Sequence, residues 1–133
     1  MTVLFKVPPQ EVDGDTVTVE ARSYGPVHLA RGDRVFLWWS EAQGGAGLVG
    51  HGLCLAASSQ PDGWRAVVEV VTDRHRGFGK AELAPHRSAG RATPSGSLSA
   101  KLYRHALNKV VAITSEEERF LDGVLEGVTP RSA

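Results

Sequence analysis

Apolar and polar positions alternate along the first half of the chain with the period of β-strands. Thr16 to Ala21 puts Val17 and Val19 on one face and Thr16, Thr18 and Glu20 on the other, which predicts a half-buried strand. Thr2 to Val7 is a shorter β-prone run that Pro8-Pro9 stops. Gly32-Asp33 is a turn pair ahead of a second apolar run, Val35 to Ser40. Gln43 to Gly47 is a glycine-rich tip, and Leu48 to Ala57 is a third run, so the two flanking runs predict a hairpin with a long loop. Pro61-Asp62-Gly63 closes a turn before Trp64 to Thr72, WRAVVEVVT, a strand that pairs back to make a meander. Val27 to Ala30 leads into the hairpin, with Leu29 facing inward.

After Thr72 the period changes. Arg74 to Gly96 has no clean periodicity and reads as a long loop, with one turn of helix near Lys80 to Leu83. Ser97 to Asn108 reads as a helix with Leu98, Leu102 and Leu107 on its apolar side. Val110 to Ile113 is a short strand or connector. Ser115 to Leu125 is a second helix: Ser115 with Glu118 forms a capping box, and Phe120, Leu121, Val124 and Leu125 make its buried face. The pattern predicts a single domain over residues 1–133, mainly β, with helices within 97–126, an α+β class.

At 133 residues the chain can build its own core without staples. It has no apolar run near membrane-spanning length and no signal-peptide pattern at its N-terminus. One cysteine, Cys54, excludes an internal disulfide. A cytoplasmic location with no membrane association is the expectation. The 15 Lys/Arg and 15 Asp/Glu cancel, yet they are segregated. Met1 to Asp73 holds 5 basic and 9 acidic residues, whereas Arg74 to Lys109 holds 8 basic residues and one acid, Glu82. That segregation points to an anionic partner or to a basic loop balanced in space by the acidic half.

Two features carry candidate chemistry. Trp38 and Trp39 are adjacent in a strand, so they face opposite sides of the sheet. Three readings are open: both are core, one of them under a covering helix; one is core and the other a stacking platform; or one sits in a protein interface. Gly44, Gly45 and Gly47 either supply positive φ to the turn or let a ligand approach bare backbone. Gly50 and Gly52 weaken a strong strand, which hints at close approach or a bulge. The glycines match neither a P-loop nor a dinucleotide fingerprint. His28, His51, His75, His86, His105 and Cys54 show no metal-ligand spacing, so no metal and no cofactor are expected. His51 and Cys54 lie three apart in a strand, on opposite faces, and Cys54 reads as a small core residue.

A GDRVF strand ending in aromatic-aromatic-Ser, then a Gly-rich turn and a Gly-containing strand, fills Gly32 to Ala57. This stretch resembles the PUA-like superfamily, most closely its EVE group, with more distant likeness to YTH and ASCH domains. The resemblance implies a small β-barrel with C-terminal helices. It also implies a non-catalytic module that binds nucleic acid, RNA or DNA, or a modified nucleobase in an aromatic-lined pocket at the sheet. On that reading Trp38, Trp39 and Ser40, with Gly44, Gly45 and Gly47, bind the ligand, Ser40 meeting a base edge. Phe5, Tyr24 and Phe78 are candidates for the other pocket walls. Arg74 and Arg76 (with His75 between them), Lys80, Arg87, Arg91, Lys101 and Arg104 are the phosphate contacts. Two alternatives stay open. One is a small enzyme acting on a nucleobase- or nucleotide-like ligand, as ASCH-type relatives suggest, with Glu41, His51 and Lys80 as acid–base groups. The other is an interaction or dimerisation module built on the Trp pair and the C-terminal helix.

Overall fold

The structure, a computed structural model, describes residues 1–72, 78–104 and 108–128. Arg74, His75, Arg76, His105 and Leu107 lie outside the described residues, and so does the side chain of Arg91. Among the described residues, six strands form one sheet in the order β2-β5-β4-β3-β1-β6. They are β1 Thr2–Val7, β2 Thr16–Arg22, β3 Arg34–Trp39, β4 Gly47–Gln60, β5 Gly63–Thr72 and β6 Lys109–Ile113. Strands β3, β4 and β5 form the antiparallel meander that the turn chemistry predicts. β1 pairs parallel with β3 on one side and antiparallel with β6 on the other. The sheet curls into a half-barrel until its edge strands approach: Ser23 bridges Val110, and the Tyr24 N–H donates to the Val110 carbonyl at 3.1 Å.

Alternation sorts the side chains into two cores. Val3, Phe5, Val7, Val17, Val19, Val35, Leu37, Cys54 and Val68 fill the concave interior. Leu4, Phe36, Trp38, Leu48, Val111 and Ile113 point outward, where α2 Pro94–Tyr103 and α3 Ser115–Val128 cover them with Leu98, Leu102, Leu121 and Leu125. β1 and β3 are therefore buried on both faces, which is why VLFKV and RVFLWW read as nearly continuous apolar runs. His51 and Cys54 do face opposite ways, His51 toward Phe36 and Cys54 into the interior. The weak spots of β4 coincide with its irregularities. Register shifts between Leu37 and Trp38, opposite Gly50 to Leu48, and again between His51 and Gly52, where a Cβ on Gly52 would strike the Glu69 carbonyl.

Three helical assignments need correction. In the stretch expected to be a long loop, the helical turn expected at Lys80–Leu83 is present as α1, but the described residues continue into a 3-10 run at Ala84–Ala92 that was not expected, held down by fully buried Leu83. α2 begins at Pro94 rather than Ser97: Thr93 is its N-cap, accepting from the Gly96 N–H at 3.1 Å, and Pro94 takes the first turn where no N–H is needed. α3 is capped one residue earlier than Ser115. Thr114 Oγ1 accepts from the Glu117 N–H at 3.1 Å, and Glu117 accepts from the Thr114 N–H at 2.9 Å. Glu118 is drawn away instead to Thr2 and Arg34.

Candidate ligand site

β1 and β3 run parallel and end together, at Val7 and Trp39. The first turn after β3, a 3-10 turn at Glu41–Gln43, folds back over that end, with the Gly45 N–H donating to the Ser40 carbonyl at 2.8 Å. The chain returns to the same place after β5, where the Leu48 N–H donates to the Phe78 carbonyl at 2.9 Å. The three glycines of the tip now have separate reasons. Gly44 has φ +92° at the end of the 3-10 turn. A Cβ on Gly45 would strike the Trp39 backbone, and one on Gly47 would strike the Phe78 carbonyl. The bare backbone at Gly45 and Gly47 thus accommodates the protein's own chain.

The Trp pair divides as strand geometry requires. Trp38 is fully buried beneath the helices, edge-on to Phe78 and to Tyr103 at 6.2 Å between ring centroids in each case. It is a core residue and offers no face to a base. Trp39 points the other way and is only half-buried against the interior core. Ser40 is fully buried, and its hydroxyl has no hydrogen-bond partner among the described residues. Of the suggested pocket walls, Phe78 is beside Trp38, Phe5 lies in the interior core, and Tyr24 lies over Lys109.

Glu41 links the elements at this end. One carboxylate oxygen accepts from the Trp38 indole N–H at 3.3 Å. The other accepts from the Tyr103 hydroxyl at 2.9 Å and from the Lys80 backbone N–H. Glu41 and Lys80 are thereby brought together, whereas His51 stands apart beside Arg34. Sequence reasoning missed two lysines that complete the arrangement. Lys6 and Lys109 are register partners on β1 and β6, both buried on the helix side. Their ammonium groups cap the C-terminal end of α2, Lys6 donating to the Leu102 carbonyl at 2.8 Å and Lys109 to the Lys101 carbonyl at 2.7 Å. Lys6 also sits 4.3 Å from the centroid of Tyr103. Burial, with the charges of Lys109 and Lys80, pulls Lys6 down from 10.5 to about 8 against the opposing pull of Glu41. Burial lowers Lys109 as well. Burial and then the Glu41 carboxylate push the Tyr103 phenol far above its ordinary value. The available signal was the pair of lysines inside otherwise apolar runs, VLFKV and KVVAI.

The expected phosphate contacts fare differently from one another. Lys101 is committed to the fold: it donates to buried Glu117 at 2.7 Å and to the Ala112 carbonyl at 3.0 Å. Lys80, Arg87 and Arg104 are exposed and form no ion pair among the described residues. Lys80 lies 5.8 Å from the centroid of Tyr103, whereas Arg104 lines a cleft with Tyr24, Lys101 and Lys109. Around the Tyr103 ring stand Lys6 and Lys80, against the carboxylates Glu41 and Glu82. Among the described residues, no group of three His, Cys, Asp or Glu is placed to hold a metal ion, and no helix is long and apolar enough to cross a membrane. No protein-family model, curated protein or solved structure matches this chain.

Proposed function

We propose that this half-barrel is a PUA-like, EVE-type module that binds nucleic acid, RNA or DNA, or a modified nucleobase, without catalysis. The observation that carries the reading is that Lys80, Arg87 and Arg104 are exposed and form no ion pair among the described residues. Exposed cations without an ion-pair partner suit an anionic partner. Trp39, partly exposed at the end of β3 on the interior side, is the member of the Trp pair that can offer a stacking surface. Trp38 has no such part.

Fluorescence anisotropy with single-stranded RNA and DNA over a salt series tests this. Binding should weaken linearly in log salt, and the Lys80→Ala/Arg87→Ala double variant should flatten the slope by about 1.4. Trp39→Ala, checked for folding by circular dichroism, should lose about 1–3 kcal/mol of affinity. Binding that ignores salt, or no binding to either polymer, refutes the reading.

One observation favours the enzymatic alternative: Glu41, Tyr103 and Lys6 form a single network, and Lys6 is tuned to about 8, within the range of a general base. Turnover of a nucleotide that disappears in Glu41→Gln would support it.

A further inference from the structure

Between the Tyr24–Pro26 loop, the last turns of α2 and β6 lies an open cleft of about 270 Å³. Its walls are apolar at Tyr24, Ala100 and Val111 and cationic at Lys101, Arg104 and Lys109, with no carboxylate among its lining residues. The three cations are not equivalent. Lys101 is neutralised by Glu117. Arg104 is exposed and forms no ion pair among the described residues. Lys109 is 1% exposed, and among the described residues its ammonium makes one hydrogen bond, to the Lys101 carbonyl, and lies 5.1 Å from the centroid of Tyr24. An ammonium carries three donors, and a buried one seeks acceptors for all of them. The strand register adds a second pressure. Lys109 stands directly opposite Lys6, and like charges in that position repel. The two α2 carbonyls bring partial negative charge to the pair but no full countercharge.

We infer that this cleft is an anion site for a phosphate monoester, which Lys109 and Arg104 grip while Tyr24 and Val111 hold the organic part. A phosphate monoester suits the site better than a carboxylate does. It brings close to two negative charges and three strong acceptors to a buried ammonium and a guanidinium that have no counterion among the described residues. The ester could be a free nucleotide-sized metabolite or the terminal phosphate of a polynucleotide. The inference rests on the proposed function only for the second of these.

The experiment is an NMR titration of the full chain with inorganic phosphate, followed by mononucleotide and by matched 5′-phosphorylated and 5′-hydroxyl oligonucleotides. Phosphate should move the Tyr24, Lys109 and Val111 amide resonances saturably. Arg104→Gln, a surface change that leaves the core intact, should weaken that binding at least about tenfold, as fits loss of a charge-assisted contact. Lys109→Met should abolish it, and a spectrum of unfolded protein from that variant leaves Arg104→Gln as the deciding measurement. A 5′-phosphate preference among the oligonucleotides assigns the site to polynucleotide ends. Mononucleotide binding without that preference assigns it to a free metabolite. Phosphate binding in a protein that binds no polynucleotide upholds the cleft and removes the proposed function. Shifts that do not saturate, or that survive Arg104→Gln unchanged, overturn the inference.

Discussion

Removing Glu117 should be among the most damaging single changes in this protein. Its carboxylate is 1% exposed and accepts from Lys101 Nζ at 2.7 Å, Ser97 Oγ at 2.6 Å and the Thr114 N–H at 2.9 Å. It thus ties the start of α3 to α2 and caps α3 as well. Breaking a buried ion pair by deleting one partner costs about 3–5 kcal/mol, because the other charge is stranded. Lys101 keeps the Ala112 carbonyl and is 23% exposed, so Glu117→Ala falls toward the lower end, about 3 kcal/mol. For a domain of this size that lowers the melting temperature by about 10 °C. Urea denaturation measures it, and Lys101→Ala, stranding the carboxylate, should cost a similar amount. The double variant should cost less than the sum of the two by more than about 1 kcal/mol. The pH dependence has a definite sign. Burial alone would raise the Glu117 pKa, but the hydrogen bonds from Lys101, Ser97 and Thr114 outweigh it and hold the carboxyl below 4.5. Its contribution is therefore complete above pH 4.5 and is lost as pH falls through the lower folded value. The wild type should lose its advantage over Glu117→Ala in that acid range. A loss under about 1 kcal/mol for Glu117→Ala, or strict additivity in the double variant, would refute this account.

Two further predictions follow from the same geometry. Thr114→Ala should destabilise by about 1 kcal/mol in denaturant melts while Ser115→Ala stays within about 0.5, since Thr114 is the N-cap; the reverse order would restore Ser115 to that role. Lys6, lowered from 10.5 to about 8, is charged in the unfolded chain and neutral in the folded one between those values, so the wild type should gain on Lys6→Met as pH rises through that window, by at most about 3 kcal/mol. Lys109, Lys80, Glu41 and Tyr103 face the same ammonium and remain in both proteins, so the difference isolates Lys6, and a flat difference curve would show that Lys6 titrates normally.

The strands were legible because each alternation has a single physical reading. Val17, Val19 and Ala21 line the interior, as their spacing requires. The α3 cap was not legible to the residue, because Thr114 with Glu117 and Ser115 with Glu118 both satisfy the capping-box spacing. Tertiary partners decide between them: Lys101 and Ser97 claim Glu117, and Arg34 claims Glu118. Adjacent tryptophans announced a two-sided strand, but which ring is covered depends on helices far along the chain. Lys6 escaped notice for the same reason. In an alternating strand a lysine reads as solvent-facing, and only the docking of α2 makes that face an interior. Lys101 looked like one more member of a basic run until its buried acid, sixteen residues away, was brought beside it.

The place of β1 between β3 and β6 also governs how the molecule comes into being on the ribosome. β1 is synthesised before both of its neighbours, and β3 can dock on one of its edges as soon as it emerges. The other edge has to wait for Lys109–Ile113, about a hundred residues later. The wall that shields Leu4, Phe36 and Trp38 is built from Leu98 and Leu102, which arrive just before that strand, and from Leu121 and Leu125, which arrive after it. A nascent chain therefore carries an unpaired strand edge and a bare aromatic face for most of its synthesis. Pairings this distant in sequence place the protein among the slower-folding topologies, and the half-made sheet is the species that a chaperone must guard.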